Sequence, residues 1–527
     1  MVFQRSGLVR ANVTKSILQL RYVAIGAAIL VGGALLRLRA LGPVALWRDE
    51  AQAVDIARLD DGMFRFLVDH ESHPPLFYFA VRLWGAAVGW SDSQLMALPF
   101  VVGIALMLVA WWTGAKLGGR STGLLACLLT AVSATAAIHL GRLRPYGLLA
   151  ILCLVMTWAL WSILVKGPAW RPRMAYITAS VLALYTHNWM LVVVLVQAGV
   201  VLLLVWHGDR RRIGSVLMLF LVVGLAYLPW VPFLFTQFDQ AGYTTAQGFG
   251  LWDHVRLPLR ILFAVPLSVV PLVLLGMFWA AFSWFRQAGE ADRTSMLAAV
   301  ALSVGVPLLV LVLAVASLPF TFLLTERAFS ALSPLLFLGG AVLLWRPGRL
   351  LRAGAISGAA WVLVLLYWDG VLLQFPPSLG REPVQEVAAR ANEQDLIVLV
   401  GIHSMPTVAR YWRGTQHVEA YPEVGMPRPI QFDHRTARDS ARAALRRYQS
   451  LIQQAHDQGG RVWYLTHWEM PVVLWPVHDS LTALLGGLFG PPDCTSGAVD
   501  WQGLFETIDW TLYSSGHEAC TDEASPR

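Results

Sequence analysis

The chain has 527 residues, 56% apolar and only 14% charged, with a mean hydropathy of +0.56 and a formal net charge of +7. An average soluble domain carries about 25% charged residues, so this composition excludes a disordered chain, argues against a soluble multidomain enzyme, and describes a protein whose solvent is mostly lipid. The charge is divided: residues 1–375 carry 28 basic and 15 acidic side chains and residues 376–527 carry 12 and 18, the pattern of a membrane part followed by a soluble tail. Only Lys15, Lys116 and Lys166 are lysines, and no basic cluster is interleaved with aromatics, so nucleic acid is not an expected partner.

A helix needs about 20 apolar residues to cross a bilayer. Eleven such stretches are predicted in chain order, near 21–41, 95–115, 121–139, 147–165, 174–187, 188–206, 213–234, 258–284, 296–317, 328–345 and 353–373. The first is long and lacks a cleavage site, so it reads as a retained signal anchor. With the N-terminus cytoplasmic, the inner segments hold 17 basic residues and the outer loops 8, which satisfies the positive-inside bias and puts the tail outside. The expected location is a bacterial or archaeal inner membrane, crossed many times. The apolar segment 74–90, with Arg82 and several aromatics, reads as a helix lying along the outer membrane surface rather than another span.

Domain 1–375 is therefore the membrane part, with 42–94 as its first outer loop, and 376–527 is the soluble part, beginning after Gln374-Phe375-Pro376-Pro377. Within the tail, 395–401 and 461–467 read as buried strands, and 435–455 as an amphipathic helix between them. The expected fold class is a polytopic all-α membrane protein of about 11 transmembrane helices with a small C-terminal α/β domain outside the cytoplasm. Cys127 and Cys153 fall inside spans and read as apolar packing. Cys494 and Cys520 fall in the tail, where an oxidising compartment would join them as a disulfide; two free thiols are the other reading.

The loop 42–94 carries a dense group of ionisable residues: Asp49, Glu50, Asp55, Asp60, Asp61, Asp69, His70, Glu71 and His73. Asp55, Asp60 and Asp61 read as an ordinary solvated face. Asp49-Glu50 differs because it follows the first span directly, at Leu46-Trp47-Arg48, where a lipid headgroup meets a water-borne reactant.

These residues carry a resemblance. LRLRALGPVALWRDEA (36–51) followed by HESHPPLFYFAVRLW (70–84) is similar to the dolichyl-phosphate-mannose-protein mannosyltransferase-like superfamily, which includes the bacterial aminoarabinose transferases of lipid A and has the GT-C fold. GRLRPY (141–146), YTHNW (185–189), TERAFSALSPLL (325–336) and GREPVQEVAA (380–389) resemble further elements of that pattern, in the same order along nearly the whole chain. Two positions depart from it: Arg142 stands where the family often has Glu, and Phe329 where Tyr is commoner.

The resemblance implies an inverting glycosyltransferase that moves a monosaccharide from a polyprenyl phosphate to an acceptor hydroxyl outside the cytoplasm. The implied partners are a polyprenyl-phosphate-linked monosaccharide, membrane lipids, and a glycan, lipid or protein acceptor. A carboxylate within hydrogen-bond reach suits deprotonation of the acceptor, and Asp49 is the expected base. Glu50 either positions the acceptor and base or caps the helix that follows. The leaving phosphate needs fixed cations and donors, for which Arg144, Arg327 and Tyr146 are expected. Arg37 and Arg39 either bind phosphate or extend to the headgroups. His73, Glu71 and His187 are expected to order the loop and position the acceptor. His70 and His73 with nearby carboxylates leave a divalent metal such as Zn²⁺ or Mn²⁺ open as the one candidate cofactor. The loop 235–257 reads as a mobile lid.

Three other readings stand beside the enzyme: a transporter or flippase of lipid-linked sugars, a polymerase or ligase of long lipid-linked glycans, and a catalytically inactive scaffold. A transporter usually shows internal repeats and charged groups near the bilayer midplane. This chain shows no duplicated halves, and its charged groups gather at one face.

Overall fold

The computed structural model describes residues 2–41, 45–71, 73–241, 251–265, 267–287, 289–316, 326–344, 358–363, 365, 381–400, 405–415, 418–421, 434–467, 475–495 and 508–514. The expected domain boundary at 375 and Cys520 lie outside them, as do residues 242–250 of the candidate lid.

The chain begins with α1 (Val2–Leu41), whose apolar part Ser16–Arg39 presents most of its surface outward. Three short helices follow, α2 (Arg48–Ala57), α3 (Met63–His70) and α4 (Leu76–Val88), with a small core of their own around Leu46, Val54, Ile56, Leu67 and Val81. At 13 residues α4 spans about 20 Å, too short to cross a hydrocarbon core of about 30 Å. Its Arg82 donates to the carbonyl of Leu59 at 2.6 Å, which ties it down beside the preceding loop.

Ser91 opens α5 (Asp92–Gly118) with a capping box, in which Ser91 and Gln94 satisfy each other's backbone amides. α6 (Arg120–Val132) packs closely on α5 because small residues line the seam. A Cβ on Gly123 would stand 2.5 Å from the Trp111 carbonyl oxygen, so only glycine fits. The stretch predicted as one span over 121–139 is interrupted at Ser133, whose side chain caps a new short helix, α7 (Ala134–Leu140), by accepting from the amide of Ala136 at 3.1 Å.

The bundle continues with α8 (Tyr146–Lys166), α9 (Trp170–Thr186), α10 (Met190–His207), α11 (Ile213–Tyr227), α12 (Val231–Ala241), α13 (Leu251–Phe263), α14 (Val270–Gln287), α15 (Glu290–Val300), α16 (Val306–Ala316) and α17 (Ser333–Leu344). All twelve residues of α17 are buried, packed against α5, α6, α8, α14 and α15, so it is the axis of the bundle. The predicted span 258–284 is two helices: α13 ends at Phe263 and the chain turns at Ala264, a non-glycine residue at φ 55°. Apolar composition alone does not register such a break. Of the last predicted span, only 358–363 and 365 are described. Seven described helices are long and apolar enough to cross a membrane: those covering Ser16–Arg39, Asp92–Gly118, Tyr146–Lys166, Met190–His207, Arg210–Thr236, Asp292–Ala316 and Arg327–Leu344.

The tail is a small α/β unit. Its helices are α18 (Arg381–Arg390), α19 (Met405–Tyr411), α20 (His434–Asp457) and α21 (Trp475–Phe489), and its strands β1 (Leu396–Val400), β2 (Val418–Tyr421), β3 (Arg461–His467), β4 (Cys494–Thr495) and β5 (Ile508–Ser514). The sheet order is β2-β1-β3-β5-β4, with β1 parallel to both β2 and β3, and β5 antiparallel to β3 and β4. Helices cover both faces, which is why β1, LIVLV, is apolar throughout. The two strands and the helix expected from the sequence are β1, β3 and α20. Cys494 is disulfide-bonded, while Cys127 and Cys153 are free and buried in the bundle.

Candidate active site

The site forms where α1 gives way to α2. Consecutive residues on a helix point about 100° apart, so Asp49 and Glu50 in the first turn of α2 face different surroundings. Both carboxylates sit at the helix N-terminus, where the backbone dipole favours negative charge.

Glu50 faces inward and is fully buried. One oxygen accepts from the amide of Leu143 at 2.6 Å; the other accepts from the amide of Trp47 at 2.6 Å and from the Arg142 guanidinium. Arg142 also donates to the carbonyl of Ala45 at 3.0 Å and lies over the Trp47 ring, 4.2 Å from its centre. Glu50 is thus engaged by two backbone amides and a guanidinium of the protein itself. It joins the start of α2 to the loop between α7 and α8. The departure at Arg142 has a physical function here, as the counter-charge of Glu50.

Asp49 faces the other way and is 23% exposed at its side chain. Three guanidiniums converge on it: Arg48 at 3.0 Å, Arg144 at 3.2 Å and Arg327 at 3.3 Å. Arg144 comes from the tight loop 141–145, in which its amide donates to the carbonyl of Arg142 at 2.7 Å. Arg327 comes from the 3₁₀ turn Glu326–Leu332 that leads into α17, a turn fixed by Ser330 donating to the Arg327 carbonyl. Burial would raise the pKa of Asp49, but Arg144, Arg48 and Arg327 together hold it well below the usual carboxylate range. Burial would lower that of Arg144; Asp49 reverses this and pushes it above the ordinary value. Two of the three expected phosphate ligands, Arg144 and Arg327, therefore meet at the expected base.

The third, Tyr146, opens α8 with its ring 5.9 Å from Arg144 and 5.9 Å from the ring of His187. His187 closes α9 and is 5% exposed. Its Nδ1 accepts from the amide of Trp189 at 3.2 Å, so the proton of the neutral ring is on Nε2. The His187 ring stands edge-to-face with that of His73 at 4.5 Å, and His73 Nδ1 meets Glu71 at 2.8 Å. Tyr78 on α4 donates to Glu71, and burial followed by that carboxylate keeps its phenol protonated, well above the ordinary pKa. Glu71, His73 and His187 form one connected group beside Arg144.

The side chain of His70 lies outside the described residues. Among those described, no group of three or more His, Cys, Asp or Glu is disposed to hold a metal ion. Phe329 is fully buried against Trp189, with ring centres 5.2 Å apart, and serves as packing. Arg37 neither reaches headgroups nor faces the site. It is 3% exposed and donates to the carbonyls of Gly33, Thr130 and Ala131. Arg39 is exposed.

Sequence reasoning missed three members of this constellation. Arg48 adjoins the acidic pair and is legible in hindsight as its neighbour. Arg142 stands out in the sequence only as a departure from a pattern, and Tyr78 lies among the apolar residues of α4.

No protein-family model matches the chain, and no curated protein matches it. Among solved structures, the chain is similar to ArnT, an aminoarabinose transferase, from Cupriavidus metallidurans bound to undecaprenyl phosphate, with a TM-score of 0.55 and 14% identity over 96% of this chain and 99% of that one. It is also similar to the Archaeoglobus fulgidus oligosaccharyltransferase tethered with an acceptor peptide, with a TM-score of 0.50 and 11% identity over 88% of this chain and 71% of that one. These likenesses establish the fold, which is the GT-C fold of membrane glycosyltransferases. The chain is a multi-pass membrane protein with that architecture.

Proposed function

We propose that the chain is an inverting glycosyltransferase that moves a monosaccharide from a polyprenyl phosphate to an acceptor hydroxyl at the extracytoplasmic membrane face. The observation that carries this reading is the convergence of Arg48, Arg144 and Arg327 on Asp49 just past the first span. The undecaprenyl phosphate bound to the similar ArnT structure supports a lipid phosphate as donor.

In the transfer, the acceptor oxygen attacks the anomeric carbon as its proton passes to the Asp49 carboxylate. The bond from that carbon to the phosphate oxygen breaks, and its electron pair leaves with the polyprenyl phosphate. Arg144 and Arg327 stabilise the charge that grows there, and their planar forks suit phosphate oxygens. The same two guanidiniums restrain Asp49 in the free protein, and a carboxylate so paired is a weak base. An arriving phosphate competes for them, so Asp49 gains basicity when the donor is in place. Glu50 positions Asp49 from beneath and does not contact substrate. Tyr146 and His187 line the Arg144 side of the site, and Glu71 and His73 order the loop next to it.

The N-terminus is placed in the cytoplasm by the arginine distribution, and the tail from about residue 376 outside. The disulfide at Cys494, with Cys520 as the expected partner, supports an oxidising compartment. The test is sugar transfer by the purified chain in lipid, with a panel of polyprenyl-phosphate monosaccharides and cell-envelope extract as acceptor. One donor is expected to turn over, with Asp49→Asn lowering kcat by about 10²–10⁴-fold at retained folding. A fully active Asp49→Asn removes Asp49 as base. A donor that crosses the bilayer unconsumed replaces the enzyme with a transporter.

A further inference from the structure

The segment that delivers Asp49 is held at three successive backbone groups, each by a different side chain. Arg142 donates to the carbonyl of Ala45 at 3.0 Å, and Glu50 accepts from the amide of Trp47 at 2.6 Å. Both belong to the membrane part. Between them, the amide of Leu46 donates to the phenol oxygen of Tyr411 at 2.6 Å, and Tyr411 belongs to the tail. The same phenol donates to Asp92 at 2.7 Å, in the first turn of α5. The preceding residue, Arg410, donates to the other Asp92 oxygen at 2.8 Å and to the carbonyl of Trp90 at 3.3 Å.

The contact is buried and built from both sides. Tyr411 is 4% and Leu46 1% exposed. Ala45 packs into the tail's own core beside Met405 and Val408, so the membrane part completes the tail's packing where α19 meets α2. Burial, then the bond to Asp92, keeps the Tyr411 phenol protonated above its ordinary range, so it donates and accepts together at any physiological pH.

We propose that Tyr411 is a positioning residue for Asp49: by clamping the Leu46 amide, the docked tail sets where the first turn of α2 presents the carboxylate. Asp49 lies three residues beyond the clamp, and its environment is set by short pairings with Arg48, Arg144 and Arg327, with Tyr78 also facing it. Small displacements of a catalytic group are costly, about 10²-fold for 1 Å. The tail is then a working part of the site, and a ligand that shifts α19 alters the presentation of Asp49.

This inference rests on the glycosyltransferase reading for its kinetic consequence and not for its structural one, so two measurements on the full chain in lipid separate them. The first is hydrogen–deuterium exchange of peptides covering 45–51 in Tyr411→Phe, with Arg410→Gln as a variant that loosens docking while keeping the phenol. Tyr411→Phe is expected to speed exchange at 45–51 by about tenfold, the loss of one buried hydrogen bond, with β1 unchanged and Arg410→Gln changing 45–51 less. Unchanged exchange at 45–51, or an equal effect of Arg410→Gln, overturns the proposal.

The second is the pH profile of kcat/KM, which reports the free protein, where Arg48, Arg144 and Arg327 still hold Asp49. Release of Asp49 from its guanidiniums raises its basicity, so the acid limb is expected to move to higher pH in Tyr411→Phe, with kcat about tenfold lower and donor KM within about twofold. Loss of folded protein lowers the rate without moving that limb, and an unmoved limb in an active variant overturns the proposal. If the parent chain turns over no donor, the glycosyltransferase reading fails, and the exchange measurement still decides whether Tyr411 holds α2.

Discussion

Replacing Glu50 with Gln removes one negative charge from a place where nothing compensates. Glu50 is 0% and Arg142 4% exposed, and the carboxylate serves three donors: the Trp47 amide, the Leu143 amide and the guanidinium. An amide of the same shape offers one acceptor oxygen. In either orientation its NH₂ faces at least one of those donors, which costs about 1–3 kcal/mol, and the Arg142 charge stays buried without a counter-charge. Breaking a buried pair by removing one partner costs roughly 3–5 kcal/mol, and at about 1.4 kcal/mol per factor of ten the lower figure exceeds a hundredfold in the folded population. Equilibrium unfolding in mixed micelles, followed by far-ultraviolet circular dichroism, measures it. Arg142→Met is expected to cost a similar amount, and Glu50→Gln/Arg142→Met about 2 kcal/mol less than the sum of the two, because no lone charge remains. A loss below about 1 kcal/mol in Glu50→Gln, or strict additivity in the double variant, refutes the desolvated clamp.

Two further outcomes follow from the same geometry. Because the Asp49 pKa is depressed in the folded state, its pairing stabilises the fold above about pH 4, the unfolded carboxylate's range, and that contribution is lost on acidification below it. The difference in melting temperature between the parent and Asp49→Asn should therefore be constant from pH 8 to 5 and shrink towards pH 3; a constant difference across the whole range contradicts the depressed pKa. In the tail, buried Asp395 accepts from Arg461 at 3.1 and 2.8 Å, from the Trp463 indole at 2.9 Å and from the Asn392 amide at 2.8 Å. Asp395→Asn should destabilise the tail by about 2–4 kcal/mol, seen as faster proteolysis of 381–514 with the membrane helices intact, and equal protease resistance would show the network to be dispensable.

The membrane class, a separate helix within 74–90 and the two central strands were legible because each rests on composition or period, which a local stretch carries whole. The breaks at Ser133 and Ala264 were not, because they leave apolarity unchanged while interrupting the helix. Asp49, Arg144 and Arg327 were legible as types of residue at the right end of the right spans; that they meet at one carboxylate depends on how distant turns fold. The role of Glu50 was left between two readings because sequence does not say which way a first-turn side chain points. Tyr411 had no local signal at all: its partner Leu46 is 365 positions away.

The Glu50–Arg142 clamp also bears on heredity. The acidic pair and the loop 141–145 are separate in the chain yet form one electrical unit. A glutamate introduced at position 142 would set two carboxylates against each other in a sealed space. Loop and helix are therefore expected to be inherited as a matched set, and a chimera that borrows the loop from another protein of this fold will need the matching residue at position 50 before it folds.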